Sequence, residues 1–165
     1  MRWLLIPILL VPAFPAAAQL PDEWGTPVTT LPVGADRVIL YTADSARLAL
    51  ARIATLLQQR GYQLDYQGAV GVTTAYRALS TAAQPLGYTS ITVVVSEQVP
   101  AVFALSGRQT PRLRRGPAGK MQRSLGGSIS NKGGTLNQAA FQELVAVARA
   151  YPGGSIKYVV RQGVR

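Results

Sequence analysis

Between Asp44 and Gly61 the apolar residues return every three or four positions, and directly beyond, from Tyr62 to Tyr66, they return every second one. The first period belongs to a helix with one apolar stripe, the second to a strand with one wet face. A chain that passes from one to the other so abruptly has to lay helix against sheet. Ala46, Leu50, Ile53, Ala54 and Leu57 share the helix's inner face, with Arg47, Ala51, Thr55, Gln58 and Gln59 on or near the other. Asp44 or Ser45 is placed to cap its start. Arg60 falls in the last turn, where a cation complements the helix dipole, and Gly61 suits the left-handed position past the end.

The remaining elements follow from the same two periods. Arg37–Thr42 is a short β-branched and aromatic run, expected as a buried strand. After Tyr62–Tyr66 a turn is expected at Gln67-Gly68, then a strand from Val70 to Arg77 and a loop of small and polar residues from Ser80 to Gly87. Tyr88–Val95 is the clearest strand of the chain, and Val102–Arg108 is expected to return beside it as a hairpin. Thr110–Thr135 holds six glycines and reads as a long, mobile loop, with some of Met121–Ile129 as strand the alternative. A second helix, capped by Thr135 or Asn137, runs to about Ala150 with Phe141, Leu144, Val145 and Ala148 as its stripe, and Ile156–Val160 closes the chain as a strand. Consecutive hairpins imply antiparallel pairing, and two amphipathic helices need one apolar sheet face. The expected fold is an α+β two-layer sandwich, with both helices on one face of a mostly antiparallel sheet.

Residues 1–18 have a different character. Arg2 precedes the apolar run from Trp3 to Phe14, and Ala16-Ala17-Ala18 offers a small-x-small cleavage pattern. The run is shorter than the ~20 apolar residues of a membrane span and is broken by Pro7, Pro12 and Pro15. It reads as a cleavable signal peptide, so the working protein is expected to be exported, either periplasmic or secreted. Residues 19–36, with Pro21, Pro27 and Pro32, read as an extended leader or linker, and residues 37–165 as one domain.

The chain contains neither cysteine nor histidine. This excludes disulfides, thiol nucleophiles, thiolate metal sites and histidine bases. Its seven carboxylates (Asp22, Glu23, Asp36, Asp44, Asp65, Glu97 and Glu143) are scattered. No metal site, no cofactor and no catalytic residue is expected. A small hydrolase built on a carboxylate, or on Ser128 or Ser130 with Lys132, is the enzyme alternative, although Ser-x-x-Lys spacing is absent. Gly126–Thr135 resembles a phosphate loop only superficially, because its lysine precedes the glycine pair.

Charge is the feature that points to a partner. The chain carries a formal +10, and after Glu97 its only acid is Glu143. Seven cations lie in one stretch: Arg108, Arg112, Arg114, Arg115, Lys120, Arg123 and Lys132. Guanidinium forks suit phosphate or carboxylate, and glycines allow backbone N–H groups to approach an anion closely. The functional reading is anion binding by the loop at 110–135; the plain alternative is a solvated loop that keeps the protein soluble. No aromatic interleaves the cations from Gln109 to Thr135, which speaks against base stacking and hence against nucleic acid. An anionic envelope component, with peripheral contact to a membrane surface, or an acidic protein fits better. Tyr62, Tyr66, Tyr76 and Tyr88 offer another possible docking face, though aromatics in strands usually pack across the sheet.

The helix end Leu56-Leu57-Gln58-Gln59-Arg60-Gly61-Tyr62, the strand Gln63–Tyr66 and the strand Gly71–Thr74 resemble, as a pattern of elements, the small helix-over-sheet domains of bacterial outer-membrane assembly lipoproteins. That resemblance spans about Arg37 to Val160. It implies an accessory or scaffold role in the envelope without catalysis, through docking by a sheet edge or face. The lipid-anchor cysteine of those proteins has no counterpart here.

Overall fold

A computed structural model describes residues 26–80, 85–95, 100–111, 114–115, 121–122 and 127–160. Residues 1–25, which include the expected signal peptide and the first part of the expected leader, and the basic tail at 161–165 lie outside the described residues. The chain forms strand β1 (Arg37–Tyr41), helix α1 (Ala46–Gln59), strands β2 (Leu64–Gly68), β3 (Gly71–Thr74), β4 (Arg77–Ser80), β5 (Pro85–Val95), β6 (Val102–Thr110), β7 (Arg114–Arg115), β8 (Met121–Gln122) and β9 (Gly127–Ser128), helix α2 (Thr135–Arg149) and strand β10 (Ser155–Val159). It is the α+β sandwich that its periods imply. Eight strands make an antiparallel sheet in the order β10-β1-β6-β5-β3-β2, with β4 joined to β5 and β9 to β6.

Both helices cover one face. Leu50, Ile53 and Leu57 of α1 and Phe141, Leu144 and Ala148 of α2 meet Val38, Leu40, Phe103, Leu105, Ile91 and Val93 from the sheet in one continuous core. Phe103 and Phe141 are fully buried. The opposite face carries a smaller buried cluster of Ile39, Val102, Ala104 and Val159, flanked by Tyr41.

The ends of α1 show how local chemistry sets its length. At the C-terminus Gly61 adopts φ +80°. Its N–H donates to the Gln58 carbonyl at 2.8 Å, and the Tyr62 N–H to that of Leu57 at 3.0 Å. This paired closure satisfies two carbonyls that the helix would otherwise orphan. At the N-terminus the expected side-chain cap does not form: Ser45 takes the cap position without a side-chain bond. Asp44 is drawn elsewhere, because its carboxylate accepts from Arg52 two turns on and from the Tyr151 hydroxyl. Burial and the bond to Asp44 both raise the Tyr151 pKa.

The start of α2 also departs from expectation. Gly134 occupies the cap position, so Thr135 is already helical and caps nothing. Asn137 turns its amide back onto the preceding segment. It accepts from the Ser130 N–H at 2.9 Å and donates to the Lys132 carbonyl at 2.8 Å.

The single strand expected from Val70 to Arg77 is two, β3 and β4, and the turn falls at Ala69-Val70 instead of Gln67-Gly68. The cause is β5, which is 11 residues long. β3 pairs with its second half and β4 with its first, along the same edge. The residues before Asp36 run beside the outer strand: Val28 exchanges two backbone hydrogen bonds with Tyr158, at 2.8 and 2.9 Å.

Candidate functional site

β6 holds the root of the basic stretch. Along one edge it pairs with β1 as far as Leu105, opposite Val38. Farther on, Arg108 pairs with Ser128 and Gln109 with Gly127, so β9 takes over that edge. Between the two pairings, around Ser106 and Gly107, lies a cleft of about 290 Å³ lined by Asp36, Arg37, Thr92, Ser106, Gly107, Arg108 and Ser128. Antiparallel partners share a face of the sheet. The pairs Thr92–Ser106, Ser90–Arg108 and Arg108–Ser128 therefore put the cleft's hydroxyls and the Arg108 guanidinium on the face away from the helices.

The far wall is held by a chain of amides. Ile129 is fully buried, and its N–H donates to the Gly107 carbonyl at 3.1 Å. Two residues on, the Asn131 N–H donates to the Ala35 carbonyl at 2.8 Å and its side chain to the Pro32 carbonyl at 2.6 Å, while its amide oxygen accepts from the Gly34 N–H. Asn137 holds Ser130 and Lys132 as described above. The segment leading into β1, the segment leaving β9 and the start of α2 are thus pinned together. This positions Asp36 and Arg37 opposite Ser128.

Of the seven cations singled out in the sequence, four lie among the described residues. Arg108 is exposed and lines the cleft. Arg114 and Arg115 form β7, paired with Gln122 and Met121 of β8. Lys132 is exposed past β9. Arg112, Lys120 and Arg123 lie outside the described residues. The two ladders are in step. From Arg108–Ser128 to Arg114–Gln122 the chain advances six residues on one strand and retreats six on the other. Sequence reasoning missed Asp36, Arg37, Thr92 and Ser106 as site residues, and weighed Ser128 only as a hydrolase nucleophile beside Lys132. No local signal marks them, because they meet only through the order of strands in the sheet.

Other groups considered from the sequence are engaged elsewhere. The Ser130 hydroxyl donates to the Lys132 carbonyl at 2.9 Å and accepts from the Asn137 amide at 3.2 Å, so it serves the turn. The four tyrosines do not share one surface, since Tyr62 is a core residue and Tyr66 is more than half exposed. Among the described residues no three carboxylates gather as a metal site would require.

A second polar cluster sits at the junction of α1, β4 and α2. Glu143 lies 3.4 Å from Arg60 Nε and 3.2 Å from Arg77 Nη2. The Arg77 guanidinium stacks 4.4 Å above the Tyr62 ring and donates to the Arg60 carbonyl. Burial first, and the Glu143 carboxylate second, push the Tyr62 pKa from 10.0 to about 12 against the opposing pull of Arg77 and Arg60. A folded-state pKa above the unfolded one gives stability that is complete below pH ~10 and lost as pH rises toward 12. At ~1.4 kcal/mol per pKa unit, Tyr62 alone should remove on the order of 2 kcal/mol by pH ~12. Chemical denaturation at pH 9 and at higher pH should show this loss, and Tyr62→Phe should flatten it.

No protein-family model matches the chain, and no curated protein matches it. Among the described residues no helix is long and apolar enough to cross a membrane.

Proposed function

We propose that this is a non-catalytic, exported envelope domain that binds an anionic component through the basic stretch beginning at Arg108. The observation that carries the reading is the placement of that stretch. It leaves the sheet on β6 and returns on β9, two adjacent paired strands, so its cations issue from one place at the edge of a cleft already flanked by Arg37 and Arg108. From Gln98 to Gln142 there is no acid to neutralise them. The signal segment supports an extracytoplasmic setting. An acidic protein is the other partner of suitable charge.

Cations near an anionic surface each contribute about 1 kcal/mol, and salt screens that attraction. The protein should therefore sediment with vesicles containing phosphatidylglycerol and not with neutral phosphatidylcholine vesicles, and molar salt should release it. Replacing Arg114 and Arg115 together by alanine should weaken the association at least tenfold. Binding that ignores salt, or that survives the double replacement unchanged, would remove the basic stretch from the interface.

A further inference from the structure

The sheet face away from the helices is not uniformly wet. Ile39, Val102 and Val159 have no accessible surface, and Ala104 is 5% exposed. A side chain in the middle of a bare sheet face stays accessible, so burial this complete needs a second layer. Among the described residues, Tyr41 is the one partly buried apolar side chain packed against the four, and Lys157 Nζ lies 5.2 Å from the centre of its ring. The layer is also local. In one register row across the sheet Val94 pairs with Ala104, and Ala104 with Ile39. Exposure falls along that row from 41% to 5% to 0%. The cover therefore lies over β6, β1 and β10 and stops short of β5. The described chain begins on that side: it runs from Thr26 to Val28, whose two backbone hydrogen bonds to Tyr158 tie it to the outer edge of β10.

The seven residues Gln19–Gly25 precede that edge. Extended, they reach about 24 Å, whereas crossing from β10 over β1 to β6 takes about 10 Å. They include Leu20, Pro21 and Trp24. The stretches at 96–99 and 161–165, which adjoin the same strands, hold one valine each. Asp22 and Glu23 come directly before Trp24, and Lys157, the register partner of Ile39, brings a cation to the border of the cluster. We propose that residues 19–25 fold back as a strap over this face, with the Trp24 indole seated on Ile39, Val102 and Val159 and its acidic neighbours turned toward Lys157. The strap is independent of the anion-binding reading, because it uses none of the cations from Arg108 to Lys132. It gives the mature N-terminus a fixed place. It also closes an apolar patch that would otherwise be open to a second copy of the chain.

Fluorescence reads this directly, because Trp24 is the only tryptophan both in the chain from Gln19 and in the full chain carrying Trp3→Phe. In both proteins its emission should lie to the blue of free tryptophan, and acrylamide should quench it severalfold more slowly. Ile39→Ser should undo that protection. Lys157→Glu, at the half-buried border of the cluster, should raise the quenching rate severalfold with the circular dichroism unchanged, so the test survives if Ile39→Ser fails to fold. A chain beginning at Thr26 should bind anilinonaphthalene sulfonate severalfold more than the chain from Gln19. Trp24 quenched like free tryptophan in a folded chain from Gln19, or protected but indifferent to the substitutions, would overturn the strap. Protection confined to the full chain would assign the face to residues 1–18. Protection lost on dilution, together with a dimer in sedimentation, would assign it to a second copy. Either of these results overturns the strap as well.

Discussion

Replacing Gly107 by valine should destabilise the domain by about 3 kcal/mol. A Cβ at this position would stand 2.3 Å from the Ser90 carbonyl oxygen and 2.6 Å from Ile129 Cδ1. The first neighbour is main chain in the middle of β5, and it cannot retreat without parting rungs of the β5–β6 ladder. The second belongs to a fully buried side chain, the anchor from which β9 is held to β6. Relief in either direction sacrifices something large: strand pairing on one side, the fixed wall of the cleft on the other. Alanine should already produce a measurable loss. Gly134→Ser is the contrast, because an added Cβ there meets nothing within 4 Å and serine is a better cap than glycine by a few tenths of a kcal/mol. Denaturant midpoints of the three variants should rank Gly134→Ser at or above the parent, Gly107→Ala below it and Gly107→Val lowest. A Gly107→Val protein as stable as the parent would mean that β5 and β6 do not approach as described.

Gly107 also illustrates what could be read from the chain. The helix α1 was legible to within a residue of its end, where Arg60 is the cap and not part of the last turn, since its stripe, its length and its terminating glycine are encoded within 16 consecutive positions, Ser45 to Arg60, plus Gly61. The long strands β5 and β6 were legible over Tyr88–Val95 and Val102–Arg108 because β-branched runs next to each other in the chain form a hairpin, whereas Pro85–Gly87 and Thr110, read as loop, extend them. The caps were misread for a physical reason. Asp44 has competing partners, one of which, Tyr151, lies 107 residues away, and no local rule weighs a neighbour at that distance. The strands β3 and β4 were read as one because their division depends on the length of β5, the strand on which both lie.

The candidate site was legible only in part, and the division follows the same logic. Arg108 stands out by composition, in an acid-free basic stretch. Its cleft partners do not. Asp36 and Arg37 are an unremarkable pair at the start of a strand, and they reach Ser106 and Ser128 because β1, first in the chain, inserts beside β6 instead of β2. β9 has two residues, one of them a glycine, so it carries no period to detect. Short strands with long-range partners are specified by the sheet that receives them, and the cleft is bounded by such elements on two sides.

Glu143→Gln should be about as damaging as the valine at 107, at about 3 kcal/mol and roughly 10 °C in Tm. Glu143 is the only carboxylate after Glu97, and it faces two guanidinium groups, those of Arg60 and Arg77, whose side chains are only 34% and 29% exposed. Breaking a well-buried pair by deleting one partner costs about 3–5 kcal/mol, because the other charge is left without compensation. Here solvent reaches all three groups in part, which puts the expectation at the low end of that range. Arg77 cannot swing away freely, since it is stacked on the Tyr62 ring and bonded to the Arg60 carbonyl at the closure of α1. The damage should therefore spread to the α1 terminus. Two measurements separate this account from a general loss of packing. Removing the stranded charge as well, in Glu143→Gln with Arg77→Met, should recover part of the stability, a coupling that a double-mutant cycle reads directly. The Tyr62 titration, followed by tyrosinate absorbance, should move down toward the ordinary tyrosine range in Glu143→Gln, because the carboxylate is one of the two causes that raise it. If the Tyr62 titration stayed unmoved in a folded Glu143→Gln protein, the carboxylate would not be electrostatically coupled to this junction, and the stability of the α1–β4–α2 corner would have to rest on packing alone.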